Sequence, residues 1–381
     1  MVIGTQFDID CIKSSFANLA DPRSSVNQLH ELIDVVVISV VGVLAGADGP
    51  AAIAVWAKLN QAWLKQHLTL ENGIPSRDTL RRFLSLVQPA AFQRCFAVWL
   101  ESLIGEENIK LLSIDGKTLR RSHDKKRGLG ALHLVSVWAS EQSLTLCQIA
   151  TSEKSNEITA IPQVLELVDV QGAIVTIDAM GCQKAIAQQI VDQGGDYVLP
   201  VKGNQQGLEQ AVHDYFDDHL EDDFARIQVS RYEVVEEHHG RLERRCYLQV
   251  DVPDTFTRRA EWANLRTFGL AIRTRTIQGK ETAEVQGYIL SLKRDAKLFA
   301  RASRSHWGIE NTCHWTLDMI FREDESRARD RRIAENLAWL RRFALGLLKR
   351  HPNKKLSLAM KRRMAGWSTD FLSQILFQQT T

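Results

Sequence analysis

The 381-residue chain has no membrane-length apolar run, no paired cysteines, no low-complexity linker and almost no net charge. Its longest apolar stretch, Val35 to Ala47, is closed by Asp34 and Asp48. That falls short of the roughly 20 residues that cross a bilayer, so it predicts a buried helix and no membrane partner. Cys11, Cys95, Cys147, Cys182, Cys246 and Cys313 are scattered without a CxxC pair, which argues against a zinc ribbon or a disulfide framework and predicts reduced, mostly structural thiols. No internal repeat and no Pro-rich or Gly/Ser-rich linker occurs. Lys plus Arg number 48 against 46 Asp plus Glu, so any electrostatic argument for a polyanion must be local. Met1 to Asp10 lacks a basic region, an apolar stretch and a small-residue cleavage site, which predicts no signal peptide and a cytoplasmic protein. What is there is ordinary globular usage, 44% apolar and 25% charged, in a chain long enough for two or three domains.

From about Ser24 to Leu103 the apolar residues keep helical spacing, as at Leu80, Phe83, Leu84 and Val87, and predict a helical N-terminal domain. Within it, WLKQHL, ENGIPS and RDTLRRFLSLV predict a helix, a Gly-Pro turn and a second helix that Ser76 caps. In a helix-turn-helix, Arg77, Arg81 and Arg82 would stand where a recognition helix meets the major groove; an ordinary helical hairpin with a solvated basic face is the alternative. LLSID (111–115), LHLVSVWAS (132–140) and LTLCQIAT (144–151) then read as a β-meander. A helix (ITAIPQVLELV), a strand (AIVTID, 173–178), a helix (QKAIAQQIV) and a strand (DYVLPV, 196–201) follow, predicting a mixed sheet with helices on its faces. Leu208 to Phe224 is acidic, without Lys or Arg, and reads as a solvated helix and turn. Four β-like runs between about Ile227 and Leu292 look like an inserted sheet. Residues 294–363 return to helix and hold 18 Lys or Arg against 8 Asp or Glu, so a polyanion partner becomes a hypothesis here.

Two acids fall at the ends of apolar strands: Asp115, followed by GKTLRRS, and Asp178, followed by Ala179, Met180 and Gly181. C-terminal strand ends border the functional crevice of an open α/β sheet, so adjacent strands would bring the two carboxylates together. Hard oxygen donors with few His or Cys partners favour Mg²⁺ or Mn²⁺. Either acid alone reads equally as a turn or N-cap residue. Gly116-Lys117-Thr118 fails as a phosphate-binding loop, because the earlier glycine it needs falls at Leu111 inside a strand. Further on, His306, Glu310 and His314 recur every four residues and would share a helical face. They lack the HExxH spacing of a zinc site. Asp318, Glu323 and Asp324 are rival acids, or partners of neighbouring arginines.

SIDGKTLRRS, SNEITAIPQVLELVDVQGAIVTIDAMGCQKAIAQQI, YVLPVKGNQ and HWGIENTCHWTLDMIFREDESRAR closely resemble the insertion-sequence transposases of the ISAs type, also called H-repeat-associated proteins. LADPRSSVNQLHELIDVVVISVVGVLAGADG and NGIPSRDTLRRFL extend the likeness over nearly the whole chain. The resemblance implies an α/β fold: a ribonuclease-H-like mixed sheet flanked by helices, with a helical N-terminal domain and a β-rich insertion before the last catalytic acid. The expected division is 1–105 (helical, DNA-binding), 106–210 (first part of the core), 211–292 (acidic helix and insertion), 293–350 (returning helices) and 351–381 (basic tail). Residue by residue, the DDE triad falls on Asp115, Asp178 and Glu310, each a ligand to two Mg²⁺ or Mn²⁺ ions. In related transposases a tyrosine and an arginine precede the glutamate and a basic residue follows it; here those positions hold Ser303, His306 and Leu317, with Arg301, Arg304 and Arg322 as nearby substitutes. His306, Lys202 in VKGNQ, and Arg241, Arg244 and Arg245 in HHGRLERR are further candidates for DNA contact. The implied partner is double-stranded DNA, both element ends and target, bound by a homodimer or higher assembly at the bacterial nucleoid. A nuclease without strand transfer and an inactive DNA-binding relic remain open alternatives.

Overall fold

The computed structural model describes residues 9–26, 28–104, 110–151, 157–238 and 240–377. The boundary expected at 105, the first residues of the SNEITAIP block and most of the N-terminal decapeptide lie outside the described residues.

The N-terminal part is helical as expected: α1 Ile9–Ser15, α2 Leu32–Leu44, α3 Pro50–Leu59, α4 Gln61–Leu64, α5 Arg77–Leu86 and α6 Pro89–Ile104. α2 is apolar nearly all round and buried nearly all round, as a core helix must be. Asp34 in its first turn is buried with it, and its carboxylate accepts the Leu70 N–H at 3.2 Å. Ser76 caps α5 by accepting the Thr79 N–H at 3.1 Å. The turn before it differs from expectation. α4 ends at Leu64 and residues 65–76 intervene, where a helix-turn-helix has a roughly three- or four-residue turn. The connection is long because Leu68 and Leu70 are buried, drawing the backbone into the core.

Among the described residues one nine-stranded sheet follows, in the order β3-β2-β1-β4-β5-β9-β8-β7-β6. Its strands are β1 Leu111–Leu119, β2 Leu132–Ala139, β3 Leu144–Thr151, β4 Ile174–Ile177, β5 Asp196–Pro200, β6 Val229–His238, β7 Arg241–Asp251, β8 Thr267–Ile277 and β9 Lys280–Leu290. β1 to β3 form the expected antiparallel meander. β4 and β5 run parallel to β1, reached through α7 Glu157–Leu165 and α8 Lys184–Asp192. The inserted strands extend this sheet, because β9 pairs antiparallel with β5 from Val198↔Leu290 to Pro200↔Tyr288. The acidic segment is helix α9, Gln206–Leu220, which buries Leu208, Val212 and Phe216 at helical spacing against the sheet.

After the sheet come α10 Ala296–Gly308, α11 Trp315–Met319, α12 Arg331–Arg350, α13 Leu358–Trp367 and α14 Thr369–Phe377. The N-terminal helices share one hydrophobic core with α12, α13 and α14 and with Ile309, Cys313, Leu317 and Phe321. The expected divisions at 105 and 350 therefore do not separate cores, and most of the segment expected as a basic tail is helix seated in that core. The basic excess of 294–363 is also partly internal. Arg341, Arg342, Lys361 and Arg362 are buried, and the last two satisfy carbonyls left open at helix ends. Lys361 donates to the Leu348 and His351 carbonyls at 3.3 and 3.2 Å, and Arg362 to Ile320 at 2.5 Å. Arg342 meets Glu323 at 2.9 Å in a fully buried pair.

Removing one member of a buried pair leaves the other charge uncompensated. Glu323→Gln is expected to lower unfolding stability by about 3–5 kcal/mol in urea titrations. Glu335 on α12 behaves oppositely. Burial, opposed by Arg332, pushes its carboxyl up to about 7. A carboxyl whose pKa is higher in the folded chain opposes folding once pH exceeds its unfolded value, and that penalty is complete above the folded value. Glu335→Gln should therefore raise the melting temperature clearly at about pH 8 and little at about pH 5.

Candidate active site

The register of two strands builds the site. β1 pairs with β4 in parallel only from Leu111↔Ile174 to Ile114↔Ile177, so Asp115 and Asp178 are the next residues along neighbouring strands, directed to the same side. β4 ends there, whereas β1 runs on to Leu119 with β2 alone beside it. Asp115 is thus mid-strand, where the apolar run suggested a strand end. Asp178 caps the turn Ala179–Gly181, its Oδ1 accepting the Gly181 N–H at 3.0 Å. It is both an N-cap and a candidate site residue. Gly181 has to be small, since a Cβ there would stand 2.2 Å from Ile177 Cγ2.

The two carboxyls have opposite electrostatic settings. Burial alone would raise Asp115, but the hydrogen bond and charge of His314, with His306 and the Gly116 N–H, hold it below the usual carboxylate range. His314 Nδ1 lies 3.3 Å from Asp115 Oδ2, and the Gly116 N–H donates to Oδ1 at 2.8 Å. Burial raises Asp178 despite the Gly181 N–H, with Glu157 and Asp115 adding like charge and His306 opposing them. A cation between crowded carboxylates would relieve that repulsion.

α10, capped by Asp295, packs on β1 and β4 and carries His306, whose charge acts on both aspartates. At its end the helix widens into a π turn, Ile309–His314, in which the Trp315 N–H bonds the Glu310 carbonyl. Such turns are frequent at functional positions. Ile309 and Cys313 anchor it in the core, while Glu310 is exposed. Among the described residues, no group of three or more His, Cys, Asp or Glu stands close enough to hold a metal. The structure therefore brings Asp115 and Asp178 together with His314 against the first, and does not gather Glu310 with them. Two hard carboxylates side by side, with His306 Nδ1 and His314 Nε2 buried and without partners, still fit a divalent cation at this edge.

The rival acids have other partners. Lys117 Nζ meets Asp318 at 2.7 Å and Asp324 at 3.4 Å, Arg120 reaches Asp324 at 3.1 Å, and Glu323 holds Arg342. Of the basic candidates, Lys202 is exposed at the end of β5, the same sheet edge as Asp178. Its loop is tied to the Asp178 turn: Asn204 Nδ2 donates to the Ala179 carbonyl at 2.7 Å and Gln205 Nε2 to Cys182 at 3.1 Å. The β7 arginines are engaged in the insertion. Arg241 meets Glu243 at 3.0 Å, Arg244 meets Glu233 at 2.5 Å, and Arg245, buried, meets Glu236 at 2.7 Å and also Glu243. Arg301 pairs with Glu141 and Arg322 with Glu325. Arg304 is exposed beside Trp307, whose ring lies under the Arg273 guanidinium at 4.4 Å. Arg77, Arg81 and Arg82 are exposed on α5, with Asp78 3.4 and 3.7 Å from the first two.

Sequence reasoning missed the floor beneath the aspartates. Glu157, 3% exposed, faces His133 at 3.6 Å, and a Cβ on Gly116 would stand 2.3 Å from Glu157 Oε1 and 2.4 Å from His133 Nε2. A glutamate in a first helical turn is the ordinary response to the helix dipole, and His133 sits in a routine strand run, so neither carried a signal.

Residues 107–347 match the family described as "Transposase DDE domain", and residues 13–100 match the one described as "DDE_Tnp_1-associated". The "H repeat-associated putative transposase YhhI" of Escherichia coli (strain K12) is 38% identical over 365 residues, 94% of this chain and 95% of the relative. The "Putative transposase YncI" of Escherichia coli O157:H7 is 36% identical over 362 residues, 94% and 92% of the two chains. A shorter relative, "Inactive transposase YbfQ" of Escherichia coli (strain K12), is 34% identical over 65 residues, 17% of this chain and 77% of its own. With its geometry and these matches over both parts, the chain belongs to the DDE transposase family.

Proposed function

We propose that this transposase cleaves DNA at the ends of an insertion sequence and joins the freed 3′-hydroxyl to target DNA, with Asp115, Asp178 and Glu310 as its metal ligands. The observation that carries the reading is the placement of two carboxylates at adjacent positions on neighbouring parallel strands, beside a packed helix whose π turn sets His314 against Asp115 and carries Glu310, exposed, as the third acid of the proposal. The strand order β3-β2-β1-β4-β5, three antiparallel strands followed by two parallel ones, supports the ribonuclease-H-like description of the core. Bound Mg²⁺ or Mn²⁺ ions would activate the attacking oxygen and neutralise charge on the departing one.

The chain's own residues do the rest. His314 and the Gly116 N–H hold Asp115 in its ionised form. The Gly181 N–H orients the Asp178 carboxylate. Lys202, on the loop tied to the Asp178 turn, meets a phosphate of the substrate strand by charge and without base readout. No protein nucleophile is needed. The partner is double-stranded DNA, both element end and target, held by a homodimer or a higher assembly in the nucleoid.

The test is divalent-dependent joining of a labelled 3′ end to a plasmid. Joined product with Mg²⁺ or Mn²⁺, and none with chelator, is expected; nicking without joining makes the chain a nuclease, and binding with neither makes it a relic. Asp115→Asn and Glu310→Gln should each abolish cleavage and leave DNA binding within a few-fold, since lost ligands disorder the metal and not the phosphate contacts. Cleavage surviving in Glu310→Gln would move the third ligand to Asp318.

A further inference from the structure

α3 and α5 both begin on one groove, between the N-terminal helices and the segment that follows the Glu310 turn. A cleft of about 730 Å³ opens there. The α3 N-terminus enters it with Gly49 as N-cap, no side-chain cap and Pro50 as its first residue, so it presents open N–H groups and the positive end of the helix dipole. Arg77, Arg81, Arg322 and Arg327 line the cleft beside Asp48, Asp78 and Glu325. Arg341 also lines it, and is 2% exposed. Its Nη2 donates to the Asp48 carbonyl at 3.2 Å, while its Nη1 is buried and has no hydrogen-bond partner among the described residues. A buried guanidinium nitrogen left unpaired is costly, and an anion in the cleft would supply the acceptor it lacks.

A second cleft of about 510 Å³ shares Arg322 as a wall. Among the described residues its lining holds Arg362 and Arg363 and no acid, Arg362 meeting Asp48 of the first cleft at 3.6 Å, and Met319 and Trp367 are exposed at 63% and 73%. The two clefts adjoin at Arg322, which lines both, and together hold seven arginines against three acids, making a basic track. A single small anion would satisfy one end of such a track. Cations repeated along two adjoining clefts match the repeating charge of a phosphodiester chain. The acids are already paired: Asp78 with Arg77 and Glu325 with Arg322 form exposed, weak pairs that a phosphate can displace, and Asp48 offsets the charge of the buried Arg362 at 3.6 Å.

We infer that this track is a DNA-backbone site, separate from the aspartate edge, that holds duplex DNA by its phosphates. The inference rests on the DNA-acting reading above and adds where the duplex lies. Full-length chain with chelator present, so that nothing is cut, is titrated with a labelled random-sequence duplex at several salt concentrations. The triple variant Arg81→Gln, Arg327→Gln, Arg363→Gln changes only exposed side chains. It should bind at least about tenfold more weakly at low salt, with a log–log salt slope smaller by about 2 to 3, and Arg→Lys changes at the same positions should restore most of both. Equal affinity and slope in wild type and variant overturn the track and leave the proposed function standing. No duplex binding by wild type overturns both. If inorganic phosphate raises the melting temperature of wild type and not of the variant, while duplex binding is equal in the two, the track is a small-anion site and the DNA assignment falls.

Discussion

The short parallel pairing of β1 with β4 is the constraint on which the site depends. Because β4 has four residues and stops at Ile177, Asp178 leaves the ladder and caps a turn, and the flank of β1 beyond Ile114 is open on that side. A longer β4 would have paired Asp178 into the sheet and closed the edge. Two carboxylates at adjacent strand positions repel, and the fold tolerates them by supplying a donor to each: the Gly116 N–H and His314 to Asp115, the Gly181 N–H to Asp178. Both glycines are dictated by contact, Gly116 by the His133 and Glu157 side chains and Gly181 by Ile177.

The insertion serves this edge from a distance. Since β9 returns antiparallel beside β5 and ends at Leu290, the chain re-enters next to the core strands, and α10 starts where it can cross the sheet against β1, β4 and β7. The helix's direction then brings His306 and the π turn to the aspartates. The outer halves of β7, β8 and β9 extend past this junction, where Arg241, Arg245, Arg273 and Arg275 surround the buried Glu243. That cluster holds the strands in register where hydrophobic cover has run out, and it occupies arginines that a count of charges would assign to DNA.

The parts of the fold legible in the sequence were those written as runs of apolar residues. The meander, AIVTID, DYVLPV and the helices between them are where periodicity put them, and the two aspartates were legible because each closes such a run. The continuation of β1 through GKTL was not, because its polar residues read as a turn; they face ion partners, Lys117 with Asp318 and Asp324. Helix α12 shows the opposite failure. Pattern reading treats a charge as a surface mark, and Arg341 and Arg342 are buried because Asp48 and Glu323 come from far along the chain to meet them. The long connection before α5 was equally hidden, since ENGIPS carries a turn signal while Leu68 and Leu70 decide the path. The like-charge neighbour of Asp178, Glu157, needed three-dimensional placement before it meant anything.

Those same ion pairs join the aspartate edge to the groove by the N-terminal helices. Asp318 and Asp324 are held by Lys117 of β1 and by Arg120 just beyond it, and Glu323 is held from α12 by Arg342, so the segment after Glu310 is fastened on both sides. Arg322 lies inside it, in a left-handed conformation at φ 52°, and forms the wall between the two basic clefts. Left-handed backbone is unfavourable for a long side chain and persists where the surroundings determine it; the residues on either side of Arg322 are core and buried ion pair, Phe321 and Glu323. The N-terminal helices are joined to the same segment through one hydrophobic core that includes Ile309, Cys313, Leu317 and Phe321. A displacement of the groove would therefore have to break a buried ion pair or open that core, and the Glu310 turn and the N-terminal helices move as a unit unless one of those is lost.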